Sequence, residues 1–94
     1  MFDIQVEAGG RVKVNGRLDA ADSDRALAIF RGLSGPVTVD CAGLDYISSA
    51  GIAVIMDTYK RLSSSGHALR LANLTPRVKN VFVYAGLDKL LGIQ

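Results

Sequence analysis

Two stretches at the start of the chain alternate between apolar and polar residues, a pattern that predicts paired β-strands. The alternation runs over residues 2–6 and resumes over residues 12–14, with Gly9-Gly10 between the two stretches and Asn15-Gly16 after the second. Glycine-rich breaks of this length are typical of the turn that joins two antiparallel strands. The chain is therefore predicted to begin with a β-hairpin.

Farther along, the apolar residues recur at intervals of three and four, which predicts three helices. Their predicted apolar faces are Ala26, Leu27, Phe30 and Leu33, then Ile52, Ile55, Met56, Tyr59 and Leu62, then Val78, Val81, Phe82 and Ala85. Residues 37–41, 68–72 and 90–93 are short apolar segments and are predicted strands. The order ββαβαβαβ indicates an α/β fold with a small mixed sheet of about four to five strands and helices packed against it.

Composition limits the function classes. A chain of 94 residues, 49% hydrophobic, is expected to form one domain over residues 1–94. It shows neither a signal-peptide pattern nor an apolar run that approaches a membrane span, so we expect a cytoplasmic protein without membrane insertion. One cysteine and one histidine cannot supply a His/Cys zinc site, and 11 scattered Lys and Arg against nine Asp and Glu offer no basic stripe for nucleic acid.

The most promising chemistry lies in residues 44–51, the turn that opens the predicted second helix. Ser48 and Ser49 place two hydroxyls at the positive end of that helix, although a helix cap needs only one. Gly51 weakens a first helical turn, which suggests that another group approaches this backbone closely. The only imidazole, His67, follows the far end of the same helix about 24 Å away, which excludes a serine-histidine catalytic pair.

Three carboxylates are predicted to lie where strands end, those of Asp19, Asp40 and Asp45. Two or three of them are candidates to gather near Ser49. The alternative is that each carboxylate only accepts hydrogen bonds from its own turn, which we favour more for Asp45 than for Asp19.

Four segments of the chain together resemble the STAS domain. They are Gly16-Arg17-Leu18-Asp19-Ala20, Val37-Thr38-Val39-Asp40, Leu44-Asp45-Tyr46-Ile47-Ser48-Ser49-Ala50-Gly51-Ile52 and Asn73-Leu74-Thr75-Pro76-Arg77-Val78. The segments follow the order and spacing of that family, and the resemblance covers essentially the whole chain. Among STAS proteins, the chain resembles the stand-alone bacterial anti-sigma factor antagonists, with the Ser-Ala-Gly turn as the most specific feature.

The resemblance implies a protein switch that is neither an enzyme nor dependent on a cofactor. In that family the unphosphorylated antagonist binds an anti-sigma factor, a serine kinase of the histidine-kinase-like ATPase fold, and so frees a sigma factor for transcription. The kinase phosphorylates a serine of this turn, the partners separate, and a metal-dependent serine phosphatase restores the active form. The family's phosphoacceptor matches Ser49, and the implied partner-binding residues are Asp19, Ser48, Ser49, Ala50, Gly51 and Ile52.

Two departures from the family pattern leave alternatives open. Many members have aspartate before the acceptor, whereas this chain has Ser48, which is therefore a rival phosphoacceptor. Typical antagonists also have a further C-terminal helix, and its absence by residue 94 favours a homodimer or a partner that covers the sheet. Short STAS proteins also resemble a subunit that docks on the ATPase of a bacterial lipid-transport ABC system without any phosphate. Nucleotide binding near Asp19 and Ser49 is a third, weaker hypothesis.

Overall fold

The computed structural model describes residues 1–93 and contains five strands and three helices in the predicted order. The strands are β1 (Phe2–Glu7), β2 (Arg11–Leu18), β3 (Val37–Ile47), β4 (Leu69–Ala72) and β5 (Gly92–Ile93), and the helices are α1 (Ala20–Arg31), α2 (Ser49–Ser64) and α3 (Pro76–Tyr84). The strands lie in the sheet in chain order, β1-β2-β3-β4-β5. Only β1 is antiparallel to its neighbour, so the predicted hairpin and the mixed sheet are both confirmed.

Each helix connects two neighbouring parallel strands, and together the helices cover one face of the sheet. Phe30 of α1, Ile55 of α2 and Phe82 of α3 all contact one small internal space, together with Val39 and Leu71 of the sheet. Side chains alternate between the two faces of a strand, so the intervening residues of β1 and β2 lie on the opposite face, where all but Asn15 are exposed. The sheet thus has one apolar face under the helices and one open polar face.

The buried face of α2 differs from the one predicted from spacing. Ile55 and Leu62 are buried as expected, but Val54 and Thr58 are buried as well, while the predicted Ile52, Met56 and Tyr59 are only partly buried. Thr58 tolerates full burial because its hydroxyl donates to the carbonyl of Val54 at 3.0 Å. The helix is therefore rotated about its axis relative to the prediction, since α1 packs against its side.

Two strand boundaries were also predicted wrongly. β3 continues to Ile47 rather than ending at Cys41, because pairing with β2 persists across two register shifts as far as Leu18 and Ile47. β5 is limited to Gly92–Ile93, and the preceding residues 88–91 form turns. No helix within residues 1–93 is long and apolar enough to cross a membrane.

Candidate functional site

Helices α1 and α2 begin side by side at the carboxyl ends of the neighbouring parallel strands β2 and β3. Leu18 and Ile47, the last residues of these strands, are register partners. The Ser48 backbone N–H then donates to the carbonyl of Leu18 at 2.9 Å, which fixes the start of α2 against the end of β2. Two helix N-termini therefore meet at one place, where backbone N–H groups and helix dipoles favour negative charge.

The two serines of this turn have different surroundings. Ser48 is half-buried and is the N-cap of α2, because its hydroxyl accepts a hydrogen bond from the Gly51 N–H at 3.2 Å. Ser49 is the first residue of the helix and is exposed. The cap is thus made by one serine, and the hydroxyl of the other faces solvent at the positive end of the helix.

The atoms closest to Gly51 show which group approaches the start of α2. It is buried, and a Cβ built on it would lie 2.8 Å from the Leu18 carbonyl oxygen and 2.8 Å from Cγ1 of Ile47. Real Cβ atoms do not come this close to a backbone oxygen, so only glycine fits without movement of α2. The group that approaches is therefore the chain's own sheet, and Gly51 acts by letting α2 start close to β2.

Ala50 and Ile52 flank this glycine. Both are half-buried, and Ile52 packs against the hydrophobic core while its N–H donates to the carbonyl of Ser48 at 2.9 Å. The segment 48–52 thus presents Ser49 and part of Ala50 outward. Gly51 lies beneath this surface, and Ile52 packs against the hydrophobic core.

The three aspartates differ in where they lie relative to Ser49. Asp19 is the N-cap of α1 and accepts from the Ala21 N–H at 3.1 Å, which places it beside the start of α2. Asp45 lies inside β3 and is exposed. Asp40 also lies inside β3, seven residues before its end and hence roughly 20 Å from it. The preference between Asp19 and Asp45 was therefore wrong, because the aspartate that caps its own helix is Asp19.

Asp40 is held in a separate network on the open side of the sheet. Its carboxylate accepts hydrogen bonds from the Asn73 amide at 3.1 Å, the Ala42 N–H at 3.1 Å and the Arg11 guanidinium at 3.1 Å. These donors, the Asn73 amide first, hold the pKa of Asp40 below its ordinary value despite its burial. Asn73 has a positive φ of 60°, so the carboxylate also fixes an unfavourable backbone turn between β4 and α3.

Asp40→Asn is expected to lower the free energy of unfolding by about 1 kcal/mol at neutral pH, because the ion pair with Arg11 and a strong acceptor are lost. A lowered pKa in the folded state stabilises the protein above the ordinary value of 3.8, and the contribution disappears as the pH falls through the folded value. Urea unfolding should therefore give a lower free energy of unfolding for Asp40→Asn than for the wild type at pH 7. This difference should shrink as the pH falls below 3.8. Asp45→Asn, an exposed site in the same strand, serves as the control and should show little change. A constant difference at all pH values would contradict this role.

A shallow groove runs along the surface between α1 and α2, beginning beside Ser49. Its volume is about 360 Å³, and we call it the helix groove. The lining residues are Ser23, Asp24 and Leu27 of α1 and Ala50, Ala53, Val54 and Asp57 of α2. The groove therefore combines an apolar floor with one carboxylate from each helix.

One contact near the turn was missed by the sequence analysis. The guanidinium of Arg17 lies 4.2 Å from the centre of the Tyr46 ring, a cation–π contact between register partners of β2 and β3. A register shift between Gly16 and Arg17 brings the two residues opposite each other. The sequence contains no signal for this pairing, since the shift arises only when the strands are assembled.

Groups for nucleophilic or metal chemistry are scarce around the turn. Burial, with a further contribution from the charge of Asp40, raises the pKa of the Cys41 thiol to about 12, so this sulfur remains protonated. His67 lies beyond the C-terminal end of α2, whereas Ser49 lies at the N-terminal end, so the length of the helix separates the two residues. In the described residues 1–93, no three His, Cys, Asp or Glu side chains are grouped as a metal site.

Three known proteins illustrate what the chain is similar to. The anti-sigma-B factor antagonist of Bacillus subtilis is 26% identical over 92 residues, covering 98% of this chain and 82% of that protein. The crystal structure of an anti-sigma factor antagonist from Mycobacterium paratuberculosis superposes with a TM-score of 0.81 at 19% identity, covering 99% of this chain and 85% of the other. The phosphorylated form of the Bacillus cell fate determinant SpoIIAA gives a TM-score of 0.71 at 20% identity, covering 100% and 91%.

The family itself follows from a match to nearly the entire chain. A family model described as "Mlab, STAS domain" matches residues 2–92, which include every strand and helix described above except the last residue of β5. The fold shared with the solved neighbours, which superpose over nearly the whole chain, agrees with this match. The chain therefore belongs to the STAS domain family.

Proposed function

We propose that this protein is an anti-sigma factor antagonist, switched off by phosphorylation of Ser49. The observation that carries the proposal is the exposed Ser49 hydroxyl at the first position of α2, beside a second serine that already caps the helix. The name of the Bacillus subtilis relative and the phosphorylated form of SpoIIAA support it. The proposed partner is an anti-sigma factor with serine kinase activity, and both proteins act in the cytoplasm.

Ser49 is a better phosphoacceptor than Ser48 for a geometric reason. A kinase must bring the γ-phosphoryl group of ATP in line with the attacking hydroxyl oxygen, which requires access from solvent. Ser49 is exposed, whereas Ser48 is half-buried and its hydroxyl oxygen accepts a hydrogen bond from the Gly51 N–H. Phosphorylation of Ser48 would therefore disrupt the cap, while phosphorylation of Ser49 leaves it in place.

The switch acts through charge at the surface. Oγ of Ser49 attacks the γ-phosphorus of ATP, its proton passes to a base of the kinase, and ADP leaves. The phosphate adds about −1.5 to −2 charges at a helix N-terminus, where the fold tolerates them. The same charge repels carboxylates and nucleotide phosphates of a bound kinase, so the partners separate. A serine phosphatase then hydrolyses the phosphoserine with water and releases inorganic phosphate.

Phosphosite mapping tests the assignment. Incubation with the anti-sigma factor and ATP, followed by mass spectrometry, should place one phosphoryl group on Ser49 and none in Ser49→Ala. Ser48→Ala is the matched control: it should still be phosphorylated, while loss of the N-cap lowers the free energy of unfolding by about 1 kcal/mol. Phosphorylation that persists in Ser49→Ala and disappears in Ser48→Ala would contradict the choice of acceptor.

A match to the STAS domain names no partner, so the partner must be identified directly. Affinity purification from the source bacterium should recover a small ATPase-type kinase with the protein. Recovery of a transport ATPase would instead support the role of a constitutive STAS subunit of a lipid-transport ABC system. The same purified sample shows by its mass whether the chain forms a homodimer.

A further inference from the structure

We propose that the helix groove binds a basic amphipathic segment of the anti-sigma factor, an inference that rests on the proposed function. The groove begins at Ala50, directly after the proposed phosphoacceptor, and extends to Asp57, about 10 Å or two helical turns along α2. A partner that contacts Ser49 therefore reaches this groove as well. The same binding surface then continues along both helices.

The composition of the groove defines the chemistry of its occupant. Leu27 and Val54 supply an apolar floor, and the small side chain of Ala53 keeps the centre of the groove open. Asp24 of α1 and Asp57 of α2 place carboxylates on opposite walls. Lysine and arginine have apolar stems and cationic ends, so they fit a surface that is apolar below and acidic at its rims.

The two carboxylates differ in their existing partners. Asp57 forms an ion pair with Arg31 at 3.4 Å, whereas Asp24 has no ion-pair partner within the described residues 1–93. Asp24 is also exposed, so a cationic partner side chain can reach it without displacing one of the protein's own. Charge complementarity therefore favours a basic segment over an acidic one, with Asp24 as the main contact.

The groove and Ser49 then have separate tasks. The groove attracts the partner whether or not Ser49 is phosphorylated, because its carboxylates are those of Asp24 in α1 and Asp57 in the third turn of α2. The phosphate acts at the start of α2, against acidic groups of the partner. The helix groove therefore provides affinity for the partner, and phosphorylation of Ser49 causes the partner to dissociate.

The test measures the dissociation constant of the complex with the anti-sigma factor by titration calorimetry. Asp24→Lys should weaken binding about tenfold, and Ala53→Leu, which fills the groove, should weaken it about as much. The matched controls are Asp3→Lys, with the same charge change on the open sheet face, and Ala28→Leu, an exposed site of α1 outside the groove. Both controls should bind like the wild type, and circular dichroism should show all four variants folded.

The outcomes separate this inference from the proposed function. Normal binding by both groove variants overturns the groove assignment and leaves the proposed function intact. If the wild-type protein does not bind the anti-sigma factor, the proposed function is contradicted. The groove inference is then overturned as well, because its proposed occupant is a segment of that factor. If the wild type forms a dimer that Asp24→Lys dissociates, the groove is instead an interface between two copies, and the inference is overturned.

Discussion

Replacing Ser49 by aspartate is expected to weaken the complex with the anti-sigma factor by about a thousandfold. Ser49 is exposed, so the new carboxylate lies on the proposed binding surface. A unit charge about 4 Å from a partner's carboxylate or nucleotide phosphate costs about 4 kcal/mol at an effective dielectric constant near 20. That energy corresponds to roughly three powers of ten in the dissociation constant, which titration calorimetry or surface plasmon resonance can measure.

The fold itself should be unaffected by this substitution. Ser49 makes no cap, and a negative charge in the first turn of a helix interacts favourably with the helix dipole. Ser49→Asn is the matched control, since asparagine has nearly the size of aspartate without its charge, and it should bind within a few-fold of the wild type. Equal weakening by Asn and Asp would show that size rather than charge separates the partners. Unchanged binding of Ser49→Asp would rule out the electrostatic switch.

Gly51→Ala is expected to lower the free energy of unfolding by about 2 kcal/mol. Overpacking against the Leu18 carbonyl and the Ile47 side chain costs about 3 kcal/mol, and the better helix propensity of alanine recovers about 1 kcal/mol. For a domain of this size, the loss corresponds to a melting temperature lower by about 10 °C. The movement of α2 away from β2 also displaces Ser49, so we expect slower phosphorylation by the kinase.

Gly32→Ala provides the control for this substitution. Gly32 follows α1 with a φ of −80°, and a Cβ there would meet only the Ile29 carbonyl oxygen at 3.4 Å. Alanine fits this conformation, so thermal unfolding of Gly32→Ala should match the wild type within a few degrees. A Gly51→Ala protein as stable as Gly32→Ala would show that the close contact between α2 and β2 is not required.

The hydrophobic pattern predicted the order of the elements because burial on one face of the sheet dominates this fold. The length of β3 was not predictable in the same way. Gly43 and Asp45 are poor strand formers, yet both lie in β3, because pairing with β2 overrides local preference across the register shifts. The extension matters for the site, since it carries the chain to Ile47 and so sets where α2 begins.

The candidate site was predictable in outline but not in its assignments. Two serines before a helix indicate one cap and one spare hydroxyl, but only the structure shows that Ser48 makes the cap. Gly51 indicates a close approach, but the approaching group is Leu18, 33 positions earlier in the chain. Asp40 looks like a site residue because it is a carboxylate near the end of a predicted strand, whereas its partners Arg11 and Asn73 come from distant segments. In each case the missing information is a tertiary contact.

Native mass spectrometry of the complex, before and after addition of ATP, tests the proposed switch most directly. Before ATP, the unphosphorylated protein and its anti-sigma factor should be detected as a complex. After ATP, the complex should dissociate, and the released protein should carry one phosphoryl group on Ser49. A complex that survives complete phosphorylation of Ser49 would contradict the switch, as would a protein that forms no complex with the kinase at all.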